Sequence, residues 1–240
     1  MKDKIYRSAN NPIKPFEFND EVADVFPDMI LRSVPGYPLT ISMISVMADK
    51  FYQKNSNIYD LGCSLGTASI AISKTLKDKE CKIVAIDNSE AMIKSCLKNN
   101  IKENDENKID FILDDILKTN ISNASIVVMN FSLQFIPLES RQKLIERIYN
   151  GLLPGGVFIL SEKILFDDIA ENDVMSRLHY HMKELNGYEK LEISNKRKSL
   201  EDVLIPEKIN MHLQRLSQAG FKDSFVWLKC FNFASLIAFK

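Results

Sequence analysis

The stretch "YDLGCSLGTAS", residues 59–69, has the form of a strand running into a glycine turn and then a helix. Turns of this kind hold nucleotides, because backbone N–H groups converge where the helix begins. The dinucleotide fingerprint is GxGxxG. Here Gly62-Cys63-Ser64-Leu65-Gly66 places a serine at the second glycine position and brings the last glycine one residue early. No GK[ST] follows, so a P-loop is excluded. The turn is a poor phosphate cradle, and the elements around it must say what else it holds.

Two helical patterns precede it. "DEVADVFPDMILRSV" spaces Val22, Val25, Phe26, Met29 and Ile30 helically despite Pro27, and "VPGYP" then breaks the chain. "LTISMISVMADKFYQ" puts Ile41, Ile44, Met47 and Phe51 on one face. Residues 1–54 therefore read as a helical cover for a sheet. From residue 57 the rhythm alternates. The strands are "NIYDLG", "CKIVAIDNS", "IDFILDDI", "ASIVVMNFS" and "GVFILSEK". The helices between them are "GTASIAISKTLK", "SEAMIKSCLKNNIKE" (N-capped by Asn88 or Ser89) and "LESRQKLIERIYNGLL", the last stopped by "PGG". Alternation of this kind predicts a mostly parallel sheet with helices on both faces. Its ligand belongs at the carboxyl ends of the strands, which directs attention to residues 62–66, Asp87, Asn88, Asp115, Ile116 and Asn130.

The tail is of another kind. "FDDIAENDVMSRLHYHMKELNG" predicts a long helix ended by Gly187. "YEKLEISNKRKSLEDVL" is polar and shows no clear period. "PEKINMHLQRLSQAGF" predicts a helix with Pro206 near its start and Gly220 past its end. "DSFVWLKCFNFASLIAFK" makes two strands joined through "CFNF", an antiparallel close to a parallel sheet.

The bulk composition narrows the function classes. The chain has 240 residues, 45% hydrophobic and 26% charged, with 31 basic against 32 acidic side chains and a net charge of -1. That suits one globular domain over 1–240 and lacks the basic footprint of a dedicated nucleic-acid binder. The four cysteines form no CxxC pair and are expected as free thiols. No signal-peptide run or membrane span stands out, so a cytoplasmic protein is expected by exclusion.

The nucleotide that fits a turn without a phosphate cradle is S-adenosylmethionine. A carboxylate at the end of the second strand then grips both ribose hydroxyls. Asp87 stands 25 residues beyond Gly62, near the ~20 expected for a ribose-binding acid, and its ionised side chain accepts two O–H donors at once. Asp115 is placed for the adenine amino group and the N–H of Ile116 for a ring nitrogen. In this order, with the "LLPGG" turn, these features resemble the class I S-adenosylmethionine-dependent methyltransferases. That resemblance implies a Rossmann-like fold, with a mostly parallel seven-stranded sheet, an antiparallel C-terminal strand and helical additions.

A narrower family matches whole segments. "VFPDMILRSVPGY", "YDLGCSLGTAS", "AIDNSEAMI", "NFSLQF", "LPGG" with "LSEK", "LNGYEKLEISNKR" and "CFNFASLIA" resemble the carboxy-S-adenosyl-L-methionine synthase family from about residue 16 to the end. The resemblance implies conversion of S-adenosylmethionine and prephenate into carboxy-S-adenosylmethionine, phenylpyruvate and water. It implies a homodimer, with residues 163–205 as a helical insertion at the interface. It also implies a tRNA carboxymethyltransferase that uses the product at the wobble uridine. Carried over by position, the contacts with S-adenosylmethionine or its carboxylated product fall on Tyr37, Gly62, Cys63, Ser64, Asp87, Asn88, Asp115, Ile116, Asn130 and Arg197. Asp114 precedes Asp115, and the contact is assigned to the second acid.

Arg197 and Tyr37 are the expected catalytic pair. Two cations ~6 Å apart repel by a few kcal/mol at an effective dielectric near 20, so an arginine beside a sulfonium serves no plain methyl transfer. With a new carboxylate between them, the guanidinium fork becomes an anchor and the Tyr37 hydroxyl a cap. Arg197 is open to acting in its own subunit or the neighbour's. Prephenate carries a second carboxylate, for which Lys196, Lys198 and Arg32 are unranked candidates.

Other features take plainer readings. His179 and His181 do not share a helix face, and no metal is expected. Cys63 is read as packing under the ligand rather than as a nucleophile. The stripe Met175, Leu178, Met182, Leu185 reads as packing, or as a dimer surface. Two rivals stand beside the carboxylating reading: an ordinary methyltransferase acting on a small acid or on tRNA, and a non-catalytic nucleotide-binding partner of the tRNA-modifying enzyme.

Overall fold

The central strands alternate their apolar side chains across a sheet buried on both faces. On β1 (Asn57–Leu61), Ile58 faces one way, and Tyr59 and Leu61 the other. On β4 (Ala124–Asn130), Ile126 and Val128 oppose Val127 and Met129 in the same manner. The computed structural model describes residues 1–7, 12–103 and 109–240. Around these strands run β2 (Lys82–Asp87), β3 (Ile109–Leu113), β5 (Leu152–Leu165), β7 (Asp223–Cys230) and β8 (Phe233–Phe239), in the order β3-β2-β1-β4-β5-β8-β7. All neighbours through β5 are parallel; β8 runs antiparallel to both β5 and β7.

Helices cover both faces. Helices α2 (Tyr37–Phe51) and α3 (Thr67–Thr75) bury Ile44, Ala48, Ile72 and Leu76 against the Ile58 face. Helices α5 (Leu138–Gly151) and α8 (Ile209–Ala219) bury Leu144, Ile148 and Leu216 against the other. Helix α1 (Asp20–Ser33) packs Val22, Val25 and Met29 on Met92 of α4 (Glu90–Glu103) and on Phe16. Of the two N-cap candidates for α4, Ser89 acts: its Oγ accepts the Met92 N–H at 3.1 Å. Helices α6 (Ile169–Leu185) and α7 (Lys190–Leu200) follow β5. No helix of the described residues is long and apolar enough to cross a membrane.

Four boundaries differ from expectation. Helix α5 ends at Gly151, whose position leaves no room for a Cβ beside the Ile121 carbonyl (2.4 Å). "PGG" lies inside β5, where the register jumps from Ala124 opposite Leu152 to Ile126 opposite Val157; the proline and glycines fill a bulge. Residues 206–208 stand outside α8, because Glu207–Lys208 forms a short strand, β6, on Ile164 and Leu165. That strand is an eighth member beyond the seven of the main path. Strand β5 runs on to Leu165, so residues 163–165 are strand. The polar stretch without a clear period is helix α7, closed at its start by a reciprocal Glu189–Glu192 capping box.

Candidate active site

Strand order reverses between β1 and β4, and a crevice opens there at the carboxyl ends of the strands. The glycine turn forms its floor. Gly62 sits at φ +78, and a Cβ there would meet the Ser132 side chain at 2.4 Å. Gly66 sits at φ +72, against the Phe111 ring at 2.6 Å. Ser64 adopts the same left-handed region at φ 51 without being glycine. What holds it there is Asp87, whose Oδ2 accepts the Ser64 N–H at 2.8 Å while Oδ1 accepts the Ser89 N–H at 2.9 Å. Burial pushes the Asp87 carboxyl above its ordinary value, against the pull of these amides. With the Asn88 amide also acting on it, the carboxylate uses three of its roughly four acceptor sites on backbone and keeps capacity for a further donor.

The cavity above the turn measures ≈ 340 Å³, within the range of small-ligand sites. All ten positions assigned from the sequence border it: Tyr37, Gly62, Cys63, Ser64, Asp87, Asn88, Asp115, Ile116, Asn130 and Arg197. The two neighbouring acids separate. Asp115 borders the cavity, whereas Asp114 turns away, accepting the Thr119 hydroxyl at 2.8 Å and the Asp115 N–H. Among the described residues the buried Asn130 Oδ1 has no hydrogen-bond partner, and it suits a ligand N–H or O–H. Tyr37 is buried, and desolvation pushes its hydroxyl up to about 12, so it stays a proton-bearing donor through neutral pH. Arg197 borders the cavity of its own chain, and also a shallower recess with Tyr180, Glu184 and Lys190.

Sequence reasoning missed several groups here. Asp60, at the end of β1, borders the cavity and is pushed up to about 6 by burial, while its Oδ2 accepts the Ser69 hydroxyl and N–H. Lys163, two residues before the end of β5, and Lys183 on α6 also border it; the first lay within reach of the strand-end rule, the second behind an apparently apolar helix. Of the three unranked cations, Lys196 is buried on the cavity wall. Arg32 instead pairs with Asp28 and lies over the Tyr188 ring at 3.8 Å. Lys198 is exposed and is not among the bordering residues.

The stripe on α6, read as packing or as a dimer surface, is only partly covered within the chain: Met175 and Met182 are half-buried. Leu178 is 43% and Leu185 75% exposed, while the buried positions of this helix are His179 and Lys183. His179 donates from Nε2 to the Ser33 carbonyl at 2.8 Å, leaving Nδ1 buried and unpartnered. Burial lowers its ordinary value to about 3, so the ring is neutral. Among the described residues no group of three or more His, Cys, Asp or Glu side chains is placed to hold a metal ion. Cys63 is buried, and a hydrogen bond with Cys96 and burial push its thiol up, away from thiolate character.

A strand-end cavity over a glycine turn, with acids after the second and third strands, defines a class I S-adenosylmethionine-dependent methyltransferase-like protein. A methyltransferase-domain family model matches residues 58–156. Solved structures with this fold include human N-acetylserotonin methyltransferase, at TM-score 0.62 and 18% identity over 92% of this chain and 55% of that one. An O-methyltransferase family protein of Burkholderia thailandensis superposes at TM-score 0.64 with 15% identity, over 96% of this chain and 65% of that one. Two curated relatives are far nearer in sequence: the carboxy-S-adenosyl-L-methionine synthases of Shewanella oneidensis, 47% identical, and of Shewanella sp. strain ANA-3, 46% identical. Each alignment covers 100% of this chain and 98% of the relative. The chain belongs to the carboxy-S-adenosyl-L-methionine synthase family.

Proposed function

We propose that the protein carboxylates the methyl carbon of S-adenosylmethionine, with prephenate as the source of the carboxyl group. The observation that carries this reading is the position of Arg197. A permanent cation borders the same cavity as the turn, the two acids and Asn130 that suit a sulfonium nucleoside. Such a pair is tolerable when a carboxylate lies between the charges.

In this reading Asp87 takes the ribose hydroxyls, Asp115 and the Ile116 N–H the adenine edge, and Asn130 Oδ1 a donor of the ligand. Prephenate aromatises, losing carbon dioxide from its ring carboxylate and hydroxide from its ring. The hydroxide takes a proton from the sulfonium methyl and leaves as water. The methyl carbon, now carrying the electron pair, bonds to the carbon dioxide, and phenylpyruvate remains. Atoms and charge balance, with aromatisation as the driving force. The apolar walls formed by Phe16, Phe18, Phe26, Phe131 and Phe135 keep bulk water from intercepting either fragment. Arg197 anchors the new carboxylate and the Tyr37 hydroxyl caps it.

The same reading makes the protein a homodimer, supported by the uncovered Leu178 and Leu185 on α6. It supplies a tRNA carboxymethyltransferase acting at the wobble uridine; the near-neutral chain itself does not take tRNA as substrate. The alternative, ordinary methyl transfer to a small acid or to tRNA, shares the fold; there Arg197 would hold an acceptor's carboxylate or phosphate and no carboxyl group would move. Mass spectrometry of the ligand released from purified protein separates the two. A nucleoside heavier than S-adenosylmethionine by one carbon dioxide supports carboxylation; S-adenosylhomocysteine formed in step with a methylated acceptor overturns it.

A further inference from the structure

Helix α7 buries a polar face. Glu192, Asn195, Lys196 and Ser199 are its buried positions beside Ile193. Lys196, Lys183 of α6 and Lys163 of β5 all border the cavity, and all three act on His179. The groups are close enough to repel: burial and then Arg197 lower Lys163, Lys163 acts on Lys183, and Lys183 on Lys196. Among the described residues none of the three lysines, nor Arg197, forms an ion pair. Lys196 Nζ has one long contact, 3.5 Å to the Ser33 hydroxyl, for three donors. The carboxylate that acts on Lys183 and Lys196 is Asp3, whose oxygens already accept the Tyr188 hydroxyl at 2.6 Å and the Ile5 N–H. Other charged or titratable neighbours are Arg32, the neutral His179 and Tyr188, whose ring lies 5.5 Å from Lys183 Nζ.

Lys183 and Lys196 are buried and Lys163 half-buried, with one committed carboxylate, Asp3, against several cations; such an excess of buried positive charge is costly, and chains seldom keep it without a use. We propose that Lys163, Lys183 and Lys196 form a carboxylate clamp that holds the part of the substrate which is not transferred. In the carboxylation reading, on which this rests, the clamp takes the pyruvyl carboxylate that stays in phenylpyruvate, and Arg197 receives the carboxylate that moves. One substrate is then stretched between two cationic anchors, its ring held over the sulfonium methyl.

The empty clamp has a signature. Burial, the largest cause, and neighbouring cations lower Lys196 to about 7 and Lys183 to about 8. An anion arriving between them favours the charged form and raises both, so binding takes up protons at pH values above 7. Prephenate is titrated calorimetrically into protein loaded with S-adenosylhomocysteine, in two buffers of different ionisation enthalpy. About one proton is taken up at pH 8, falling towards zero at pH 6. Lys183→Met and Lys196→Met keep the side-chain volume and remove a desolvated charge. Each raises KM for prephenate by about 10- to 100-fold, weakens product inhibition by phenylpyruvate to the same degree, and leaves S-adenosylmethionine affinity unchanged. Turnover with no proton uptake and an unaltered KM in both variants removes the clamp and leaves the reaction standing. Proton uptake without turnover keeps the clamp and removes the carboxylation reading.

Discussion

The Oδ2 of Asp87 accepts the backbone N–H of Ser64 at 2.8 Å. The acid that ends the second strand thereby fixes the turn that ends the first, and holds a serine in the left-handed region at φ 51. In the proposed reading, ribose recognition and turn shape are joined in one carboxylate.

Replacing Asp87 by Asn keeps the shape but exchanges one acceptor for a donor that faces either the Ser64 or the Ser89 amide. S-adenosylmethionine binding is expected to weaken by about 10- to 100-fold, measured by titration calorimetry. Full affinity in D87N would show that the acid has neither role.

Arg197→Ala is expected to spare S-adenosylmethionine and to weaken carboxy-S-adenosylmethionine by about 10- to 100-fold, the worth of a charge-assisted fork. Direct binding of the two ligands to wild type and variant gives the comparison. Equal losses for both would remove Arg197 as the carboxylate anchor.

Tyr37 keeps its proton well into the alkaline range, since burial pushes it up to about 12. The rate profile of wild type between pH 6 and 10 therefore contains no Tyr37 ionisation, while Tyr37→Phe lowers product affinity by about 3- to 10-fold at every pH, the net worth of one hydrogen bond. An alkaline limb present in wild type and absent in Y37F would show the hydroxyl acting as a base.

Stability tests the lysines without substrate. The folded-state value of Lys196 is depressed below its unfolded one, so the unfolded chain binds more protons between about pH 7 and 10.5, and wild-type stability gains with rising pH over that window. Lys196→Met lacks this term. The unliganded variant is expected to melt several degrees above wild type at pH 7, with the gap closing towards pH 10, by thermal denaturation. A destabilised variant with a constant deficit would mean that the ammonium is satisfied in the empty protein.

Much of the fold was legible because its core obeys simple periods. Ile58, Leu61, Ile126 and Val128 announce strands, and Asp60, Asp87 and Asp115 stand at or just after strand ends, where strand topology puts ligands. Helix α7 was not legible because, beside Ile193, its buried positions are Glu192, Asn195, Lys196 and Ser199; hydrophobic periodicity cannot report a buried face that is mostly polar, held by a capping box and by bonds to the Tyr6 and Lys196 carbonyls. The α6 stripe, read as packing or as a dimer surface, shows the complementary pattern. Leu178 and Leu185 are exposed, Met175 and Met182 half-buried, and the side chains the helix buries are His179 and Lys183. The breaks at "PGG" and Pro206 were real, but local chemistry does not reveal that β5 absorbs the first as a bulge or that β6 follows the second.

The most direct test follows the carbon that the account moves. Prephenate labelled with carbon-13 in its ring carboxylate is incubated with S-adenosylmethionine and the protein in excess unlabelled bicarbonate. The account predicts carboxy-S-adenosylmethionine fully labelled in its new carboxylate, formed in equal amount with phenylpyruvate. Unlabelled product, or S-adenosylhomocysteine and no carboxylated nucleoside, would contradict it.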